Sequence, residues 1–417
     1  MRVAVIGAGI VGVTTAFELA ADGHEVVVFE RRGSVAAETS FANAGVLAPG
    51  YVMPSAAPGM PLKLMLQLWR REGALTLDAL GVWGQLPWLW RWWRACRPGV
   101  HATNRAAMLR LARLSQERLA TLTRALRLDY EHSRGYTVLL RSERELKRSR
   151  PGLKLLAELG VPFELLDAER ARQVEPGLNP DTTLRAAVHL PQDGVGNCRQ
   201  FAQLLKTEAE RRGADFRFGV EVQRIGTGAG PTVTAAGTEE RFDAVVLCSG
   251  AASAPLLQSL RLKLPLAPVW GYAVTAPLRQ LEGYPDLGPR SAVFDERYRV
   301  TVSRLGQRVR VAGSSEIGGR ADRYDERALR TLYRVLEDWF PGAFVPTQAQ
   351  RWKGARPSLP DGPPVLGASG LPGVWLNLGH GASGWALACG SARVLAEQVA
   401  GRAAPLDMTA LGLERLR

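Results

Sequence analysis

The first apolar run, residues 3–6 (Val, Ala, Val, Ile), is short, continuous and rich in β-branched side chains, as expected of a parallel strand buried on both faces. Apolar positions at helical spacing follow through Ala20, and a second apolar run, 26–29, ends at Glu30. The same order returns near the far end, where 374–378 read as a strand and the residues through about Ala400 as a helix. Between them, "FAQLLKTEAERRGADFRFGVEVQRI" predicts a helix then a strand, and "DAVVLCSGAAS" a strand running into small residues. Alternating runs such as "GYTVLL", "PVWGYAVT" and "RVRVAGS" predict an antiparallel sheet. The pattern predicts an α/β chain: a Rossmann-like unit and a discontinuous antiparallel-sheet (α+β) portion.

The turn after the first strand carries Gly7, Gly9 and Gly12 in GxGxxG spacing. The first glycine permits the turn, the second admits a pyrophosphate close to the backbone, and the third lets helix pack on strand. Ile10 and Val11 open the helix, whose free N–H groups and positive dipole end face the phosphates. Glu30, about 20 residues on, suits a ribose hydroxyl, with Arg31 beside it. This unit alone does not separate NAD from FAD. The terminal glycine loop, Gly379, Gly381, Ala382, Ser383 and Gly384, sets a second helix amino terminus against the ligand. A second negative charge to hold favours flavin, whose reduced form carries one, over nicotinamide.

Composition narrows the field. The chain has 417 residues, 46% hydrophobic, enough for two or three domains. Of its 53 basic residues only six are Lys, and the formal charge is +13. Arg is interleaved with acids, as in "RADRYDERALR", and no nucleic-acid-binding signature is present. Cys96, Cys198, Cys248 and Cys389 lie far apart without metal or redox spacing, as expected of reduced thiols in a cytoplasmic protein. No uncharged apolar run reaches the length of a membrane span. One stretch fits no period: "ETSFANAGVLAPGYVMPSAAPG", 38–59, with three prolines and three glycines. Its Phe41, Val46, Leu47 and Tyr51 argue for packing rather than disorder.

That stretch, with "RGYTVLLRSE", "GYAVTAPL", "FDERYRV", "RPSLPDGPPVLG" and "NLGHGASGWALACGS", resembles the FAD-dependent D-amino-acid oxidase superfamily, and within it the bacterial D-amino-acid dehydrogenases, over nearly the whole chain. The resemblance implies that Ser40, Asn43, Ala44 and Gly45 lie along the flavin and that Tyr51 walls the substrate pocket. It implies that Val222 holds the adenine by its backbone and that Ser249 and Gly250 approach the same cofactor. The implied reaction is oxidation of D-amino acids to 2-oxo acids and ammonia by hydride transfer from Cα to flavin N5, with electrons passed to a quinone-type acceptor. Arg356 is the expected carboxylate anchor, because a guanidinium grips a carboxylate through two parallel hydrogen bonds. Tyr272 and Tyr298 are expected second partners, and His380 a positional contact rather than a base. Gly354 stands where some relatives carry a flavin-linking cysteine, so FAD is expected to be noncovalent. Trp270 replaces a customary Lys and is expected to narrow or re-aim the pocket.

The expected layout is an FAD-binding domain from 1–54, 190–262 and 348–412, and a substrate domain from 55–189 and 263–347. Residues 62–97 hold six of the eleven tryptophans, with Arg91, Arg94 and Arg97 three apart. Such a segment suits either a peripheral contact with the inner membrane or a helix covering the substrate domain or a dimer contact. Three functions compete: a D-amino-acid dehydrogenase, an oxygen-using oxidase of glycine or another amino acid, and a noncatalytic flavin-binding subunit. Handedness of the substrate is not legible in the sequence.

Overall fold

The computed structural model of the chain describes residues 1–62, 64, 75–78, 81–228, 230–280 and 287–416. Five apolar strands lie parallel in the order Val374–Leu378, Ala244–Leu247, Arg2–Ile6, Glu25–Glu30 and Asp215–Phe218, and Val365–Ala368 is added antiparallel at one edge. Parallel strands of this kind need cover on both faces, because side chains alternate between them. Val3, Val5, Val26 and Val28 pack under the helices Ile10–Ala21, Cys198–Glu210 and Gly384–Val399. Ala4, Ile6, Val27 and Phe29 pack against a three-stranded sheet, Val222–Gly226, Thr232–Ala235 and Thr238–Arg241, and the short helix Ser253–Ser259.

One buried carboxylate fastens the helical layer. Glu18 is fully buried and receives Arg118 Nε at 2.6 Å, Arg118 Nη2 at 2.8 Å and Arg393 Nη1 at 2.9 Å. The first helix is thereby tied to the long helix Pro98–Ala125 and to the last helix. A buried acid held by two guanidiniums is satisfied; stripping away either partner is costly.

The larger sheet has the strand order Gln350–Ser358, Ala267–Pro277, Arg308–Ile317, Val300–Leu305, Ala292–Asp295, His132–Leu140, Ala186–Gly196 and Val46–Leu47, with Leu75–Leu77 and Glu164–Leu166 paired off this path. Its pairings are antiparallel, as expected, except where Ala292–Asp295 meets His132–Leu140 and Leu75–Leu77 meets Arg308–Ile317. The boundaries drawn from the sequence cut across this sheet. Val46–Leu47 and Gln350–Ser358, assigned with the dinucleotide unit, are strands of it, and Ala186–Gly196 spans the expected boundary at 190. The cause is geometric: both segments carry cavity residues and reach the site by pairing with the larger sheet. One face of that sheet buries the helix Glu326–Trp339, through Leu329, Leu332, Val335 and Trp339. The opposite face is the floor of a cavity.

Candidate active site

The turn between the first strand and the first helix is closed by contacts that leave no room for side chains. A Cβ on Gly12 would stand 1.8 Å from the carbonyl oxygen of Gly7, so helix and turn touch through backbone. Gly9 caps the helix without a side-chain hydrogen bond, leaving its amino terminus open towards a ligand. Glu30 accepts the Ala8 amide at 2.7 Å and the Arg32 amide at 2.7 Å, which fixes its carboxylate beside the turn. Arg31 reaches Glu38 at 2.6 Å. Ser40 Oγ accepts the Ile10 amide at 3.1 Å, and Asn43 Oδ1 accepts the Gly45 amide at 3.0 Å. The 38–59 stretch is therefore folded onto the helix amino terminus. Ser249 and Gly250 lie at the end of the adjacent strand against the same turn, Ser249 Cα 2.9 Å from where a Gly7 Cβ would sit. Val222 opens the first strand of the three-stranded sheet.

The start of the first helix and the 38–59 stretch border a cavity of about 430 Å³, whereas Gly7, Gly9, Val11, Gly12, Glu30, Arg31, Val222, Ser249, Gly250 and Gly379 lie outside its described lining. Into it converge Ile10, Ser40, Asn43, Ala44, Gly45, Tyr51, Arg356 and the whole run His380 to Gly384. The helix Gly384–Val399 starts there with no side-chain cap, so its amino terminus and that of the first helix, whose Ile10 amide Ser40 meets, face one space. A long ligand with separated negative charges fits that arrangement.

At the other end of the cavity, Arg356 Nη1 donates to Ser314 O at 2.8 Å and Ser315 Oγ at 3.2 Å, and Nη2 approaches Gly313 O at 3.5 Å. Among the described residues no carboxylate pairs with it, and burial alone pulls the guanidinium down to about 10. A buried cation with no counterion is costly, and an anion entering the cavity relieves the cost. His380 is 3% exposed, shares a hydrogen bond with Ser391 Oγ at 2.9 Å, and is pushed by burial to about 3. Its imidazole is neutral at ordinary pH, which agrees with a positional role.

The chain matches, over residues 2–398, a family model described as FAD dependent oxidoreductase. It belongs to this DAO family. The cofactor of the family's members is FAD, and the two open helix ends, the glycine turn and Glu30 make a site of the right chemistry for it. Along the full length, the chain is 40% identical to a D-amino acid dehydrogenase of Cereibacter sphaeroides, covering 95% of that protein, and 38% identical to a D-amino acid dehydrogenase of Xylella fastidiosa, also covering 95%. The crystal structure of glycine oxidase from Geobacillus kaustophilus superposes with a TM-score of 0.77 at 22% identity, over 99% of this chain and 98% of that one, and so shares the fold.

Within this FAD-dependent oxidoreductase three expected residues stand differently. Tyr272 borders the cavity, but its hydroxyl donates to Glu316 Oε2 at 2.5 Å and accepts the Asp325 amide at 3.1 Å. Its ring packs in the core on the helix side of the sheet, because strand alternation sends it away from its neighbour Gly271. Tyr298 lies outside the described lining of the cavity, packed against the same core with the Arg141 guanidinium 5.3 Å from its ring centroid. Trp270 also lies outside that lining, with the ammonium of Lys353 4.9 Å from its ring centroid, so it does not narrow the pocket. Tyr51 is a wall, as expected: its hydroxyl donates to Glu296 Oε2 at 2.5 Å, and burial, then the Glu296 carboxylate, hold it well above the ordinary phenol range.

The cavity has walls that the sequence did not reveal. Trp352 borders it, and its indole occupies the space over Gly354, where a Cβ would stand 1.8 Å from the ring. The four cysteines are buried, and none is among the described lining. Trp88 and Trp92, one helical turn apart on Leu86–Ala95, close another side, and Trp88 Nε1 donates to Ser358 O at 3.1 Å. Their spacing was the available signal. The other face of this helix is bare: Trp90 is 58% and Trp93 48% exposed, and they stack with centroids 5.0 Å apart. Of the expected arginine sector, Arg91 donates to Leu416 O at 2.8 Å. Residues 63, 65–74 and 79–80 of that tryptophan-rich segment lie outside the described residues. Among the described residues no helix is long and apolar enough to cross a membrane.

Proposed function

We propose that the chain oxidises D-amino acids to 2-oxo acids and ammonia and passes the electrons to a quinone-type acceptor. The observation that carries the reading is Arg356, a buried guanidinium without a carboxylate partner among the described residues, aimed into the cavity that the cofactor loops enclose. Full-length identity of 40% to a protein named D-amino acid dehydrogenase supports the handedness.

Bound FAD, held noncovalently, supplies the two-electron acceptor. Gly7, Gly9, Ile10, Val11, Gly12, Glu30, Arg31, Ser40, Asn43, Ala44, Gly45, Val222, Ser249, Gly250 and the 379–384 loop are the residues we assign to holding it. Arg356 binds the α-carboxylate: Ser314 O and Ser315 Oγ fix the guanidinium, and the donors left over match two carboxylate oxygens. A fixed carboxylate orients Cα and removes much of the entropy barrier. Trp88, Trp92 and Trp352 keep the reacting carbon dry. His380 holds its loop through Ser391 and carries no proton near neutrality. The larger sheet with its helix forms the substrate domain of the two-domain layout we assign to this chain.

The acceptor reading is supported by the bare face of Leu86–Ala95. Trp83, Leu86, Trp90 and Trp93 are exposed, and residues 81–116 contain six arginines and no acid. Amphipathic aromatics beside a stretch rich in basic charge suit an anionic membrane surface, where lipid-soluble quinones reside. On this reading the protein is cytoplasmic and attached peripherally to the inner membrane.

The test is anaerobic mixing of the FAD-loaded protein with D- and L-amino acids while the flavin's visible absorbance is followed. Bleaching by D-amino acids alone is expected, with colour restored faster by a soluble quinone than by oxygen. Bleaching by L-amino acids alone overturns the handedness, and hydrogen peroxide formed at the rate of turnover overturns the acceptor.

A further inference from the structure

Behind the cavity wall lies a second buried guanidinium to which nothing above gives a role. Arg310 is 6% exposed and sits on the strand Arg308–Ile317. Side chains alternate along a strand, so Arg310 rises from the same face as Ala312, which borders the cavity. The flanking strands set Thr275 and Ser303 beside Arg310, and Ala273 and Thr301 beside Ala312. Arg310 and Ala312 are one pleat repeat, about 7 Å, apart along the cavity floor.

Its hydrogen bonds run to the loop assigned to the cofactor. Nη1 donates to the carbonyl oxygen of Asn43 at 2.9 Å, and Nε donates to Thr275 Oγ1 at 2.8 Å. Asn43, Ala44 and Gly45 border the cavity, Ala44 packs against Ala312 and Ala273, and Asn43 closes the loop by accepting the Gly45 amide. Arg310 itself stands outside the described lining, one peptide group behind it, because the carbonyl it holds belongs to a lining residue.

That cation is poorly compensated. Both of its acceptors are neutral, and burial, then repulsion from Arg308, pulls the guanidinium down to about 10. Glu131 attracts it across space but already accepts Arg308 Nη2 at 2.6 Å and Asn197 Nδ2 at 2.7 Å. The Cys198 thiol, which also acts on it, is pushed up to about 12 by burial and stays neutral. A buried cation bonded only to neutral groups is costly, and the protein interior screens its field weakly. The cost falls when negative charge appears on the far side of the loop. The oxidised flavin ring is neutral; two electrons and one proton taken up leave one negative charge on it.

We infer that Arg310 is a positioning residue that acts through the Asn43 carbonyl and its own charge to favour the reduced, negatively charged flavin, and so raises the reduction potential of the bound cofactor. A group that meets one of two states more favourably shifts their equilibrium by that difference. The inference rests on the assignment of residues 43–45 to the cofactor made above, and is independent of which amino acid is oxidised. A raised potential makes the ring a readier acceptor of hydride.

The test is an anaerobic spectroelectrochemical titration of the FAD-loaded protein, which needs no amino acid. Arg310→Met keeps the bulk and removes the charge. We expect the equilibrium constant for two-electron reduction to fall by about tenfold or more, a potential lower by about 30 mV. Arg310→Lys keeps the charge and should hold that constant within about threefold of the native value. A residue that merely props the loop would weaken FAD binding in both variants and leave the potential of the bound fraction unchanged. That result overturns the inference, as does an equal fall in Arg310→Lys and Arg310→Met. The native protein gives a second reading, which decides the matter where a variant holds no flavin. Its potential should move by about 30 mV per pH unit between about pH 6 and 8, the value for one proton per electron pair. A slope of about 60 mV per unit means a neutral reduced ring, leaves Arg310 no charge to favour, and overturns the inference. If no amino acid bleaches the flavin, the substrate reading falls and this one stands.

Discussion

Gly271 lies directly beneath the guanidinium of Arg356: a Cβ at position 271 would stand 2.2 Å from Nη2 and 2.3 Å from Cζ. The two strands pair antiparallel, with Val269 opposite Arg356 and Gly271 opposite Gly354, so the arginine folds back over a place that only hydrogen leaves open. Gly271→Ala should therefore displace the guanidinium from Ser314 O without touching the cofactor end. The expected result is a rise in KM of about tenfold or more with little loss of bound FAD, read from steady-state kinetics and the visible spectrum.

Arg356→Ala removes the anchor itself. Loss of a buried charge pair with the substrate should weaken binding by on the order of 2–5 kcal/mol. Arg356→Lys should recover only a fraction, since an ammonium does not grip both carboxylate oxygens in fixed geometry. Titration of each variant with a non-oxidisable carboxylate ligand, followed by the flavin spectrum, measures both. Unchanged affinity in Arg356→Ala removes this residue from the site.

Asp193 predicts an unusual pH dependence of stability. Its carboxyl is 4% exposed, is raised to about 7 by burial, and accepts the Gly50 amide at 3.2 Å. In the unfolded chain it titrates near 3.8. The folded form thus holds the proton more tightly, and this group's contribution is full below about 4 and lost as pH rises through about 7. Asp193→Asn keeps an acceptor for Gly50 and never ionises. It should be more stable than the native protein at pH 8, by on the order of 3 kcal/mol, with the difference vanishing towards pH 4. Denaturant midpoints across that range provide the check.

Trp90→Ser with Trp93→Ser alters only the bare face of Leu86–Ala95, since Trp88 and Trp92 are the pair that borders the cavity. Sedimentation with anionic vesicles should drop severalfold, while turnover with a soluble acceptor holds. Equal sedimentation of native and variant protein rules this face out as the membrane contact.

The cofactor half was legible because its residues are dictated locally: a glycine turn, an apolar strand and an acid 23 positions after the first glycine leave few alternatives. Arg356 was legible through its motif, although its real distinction, a cationic group with no anion to pair it, appears only in three dimensions. Trp270 lies off the cavity, and Tyr272 borders it but spends its hydroxyl on Glu316, for a simple reason. Side chains alternate along a strand, and an error of one position moves a residue to the far side of the sheet. Gly271 and Ala273 sit on the cavity side, whereas Tyr272 hydrogen-bonds Glu316 and Trp270 stacks near Lys353; a bulge between Trp270 and Tyr272 makes the phase harder still to read.

The parallel sheet takes its strands from residues 2–6, 25–30, 215–218, 244–247 and 374–378. The central strand, 2–6, therefore waits for 244–247, and 244–247 in turn for 374–378. A ribosome must release more than half of the polypeptide before the central strand gains both its flanks, and almost all of it before the last helix can reach Glu18. Until then the nascent amino-terminal segment has an exposed apolar edge, a liability for slow, long-range assembly. Flavin loading that needs the 379–384 loop should therefore come late, after synthesis, and cells starved of riboflavin should accumulate this chain as a protease-sensitive species.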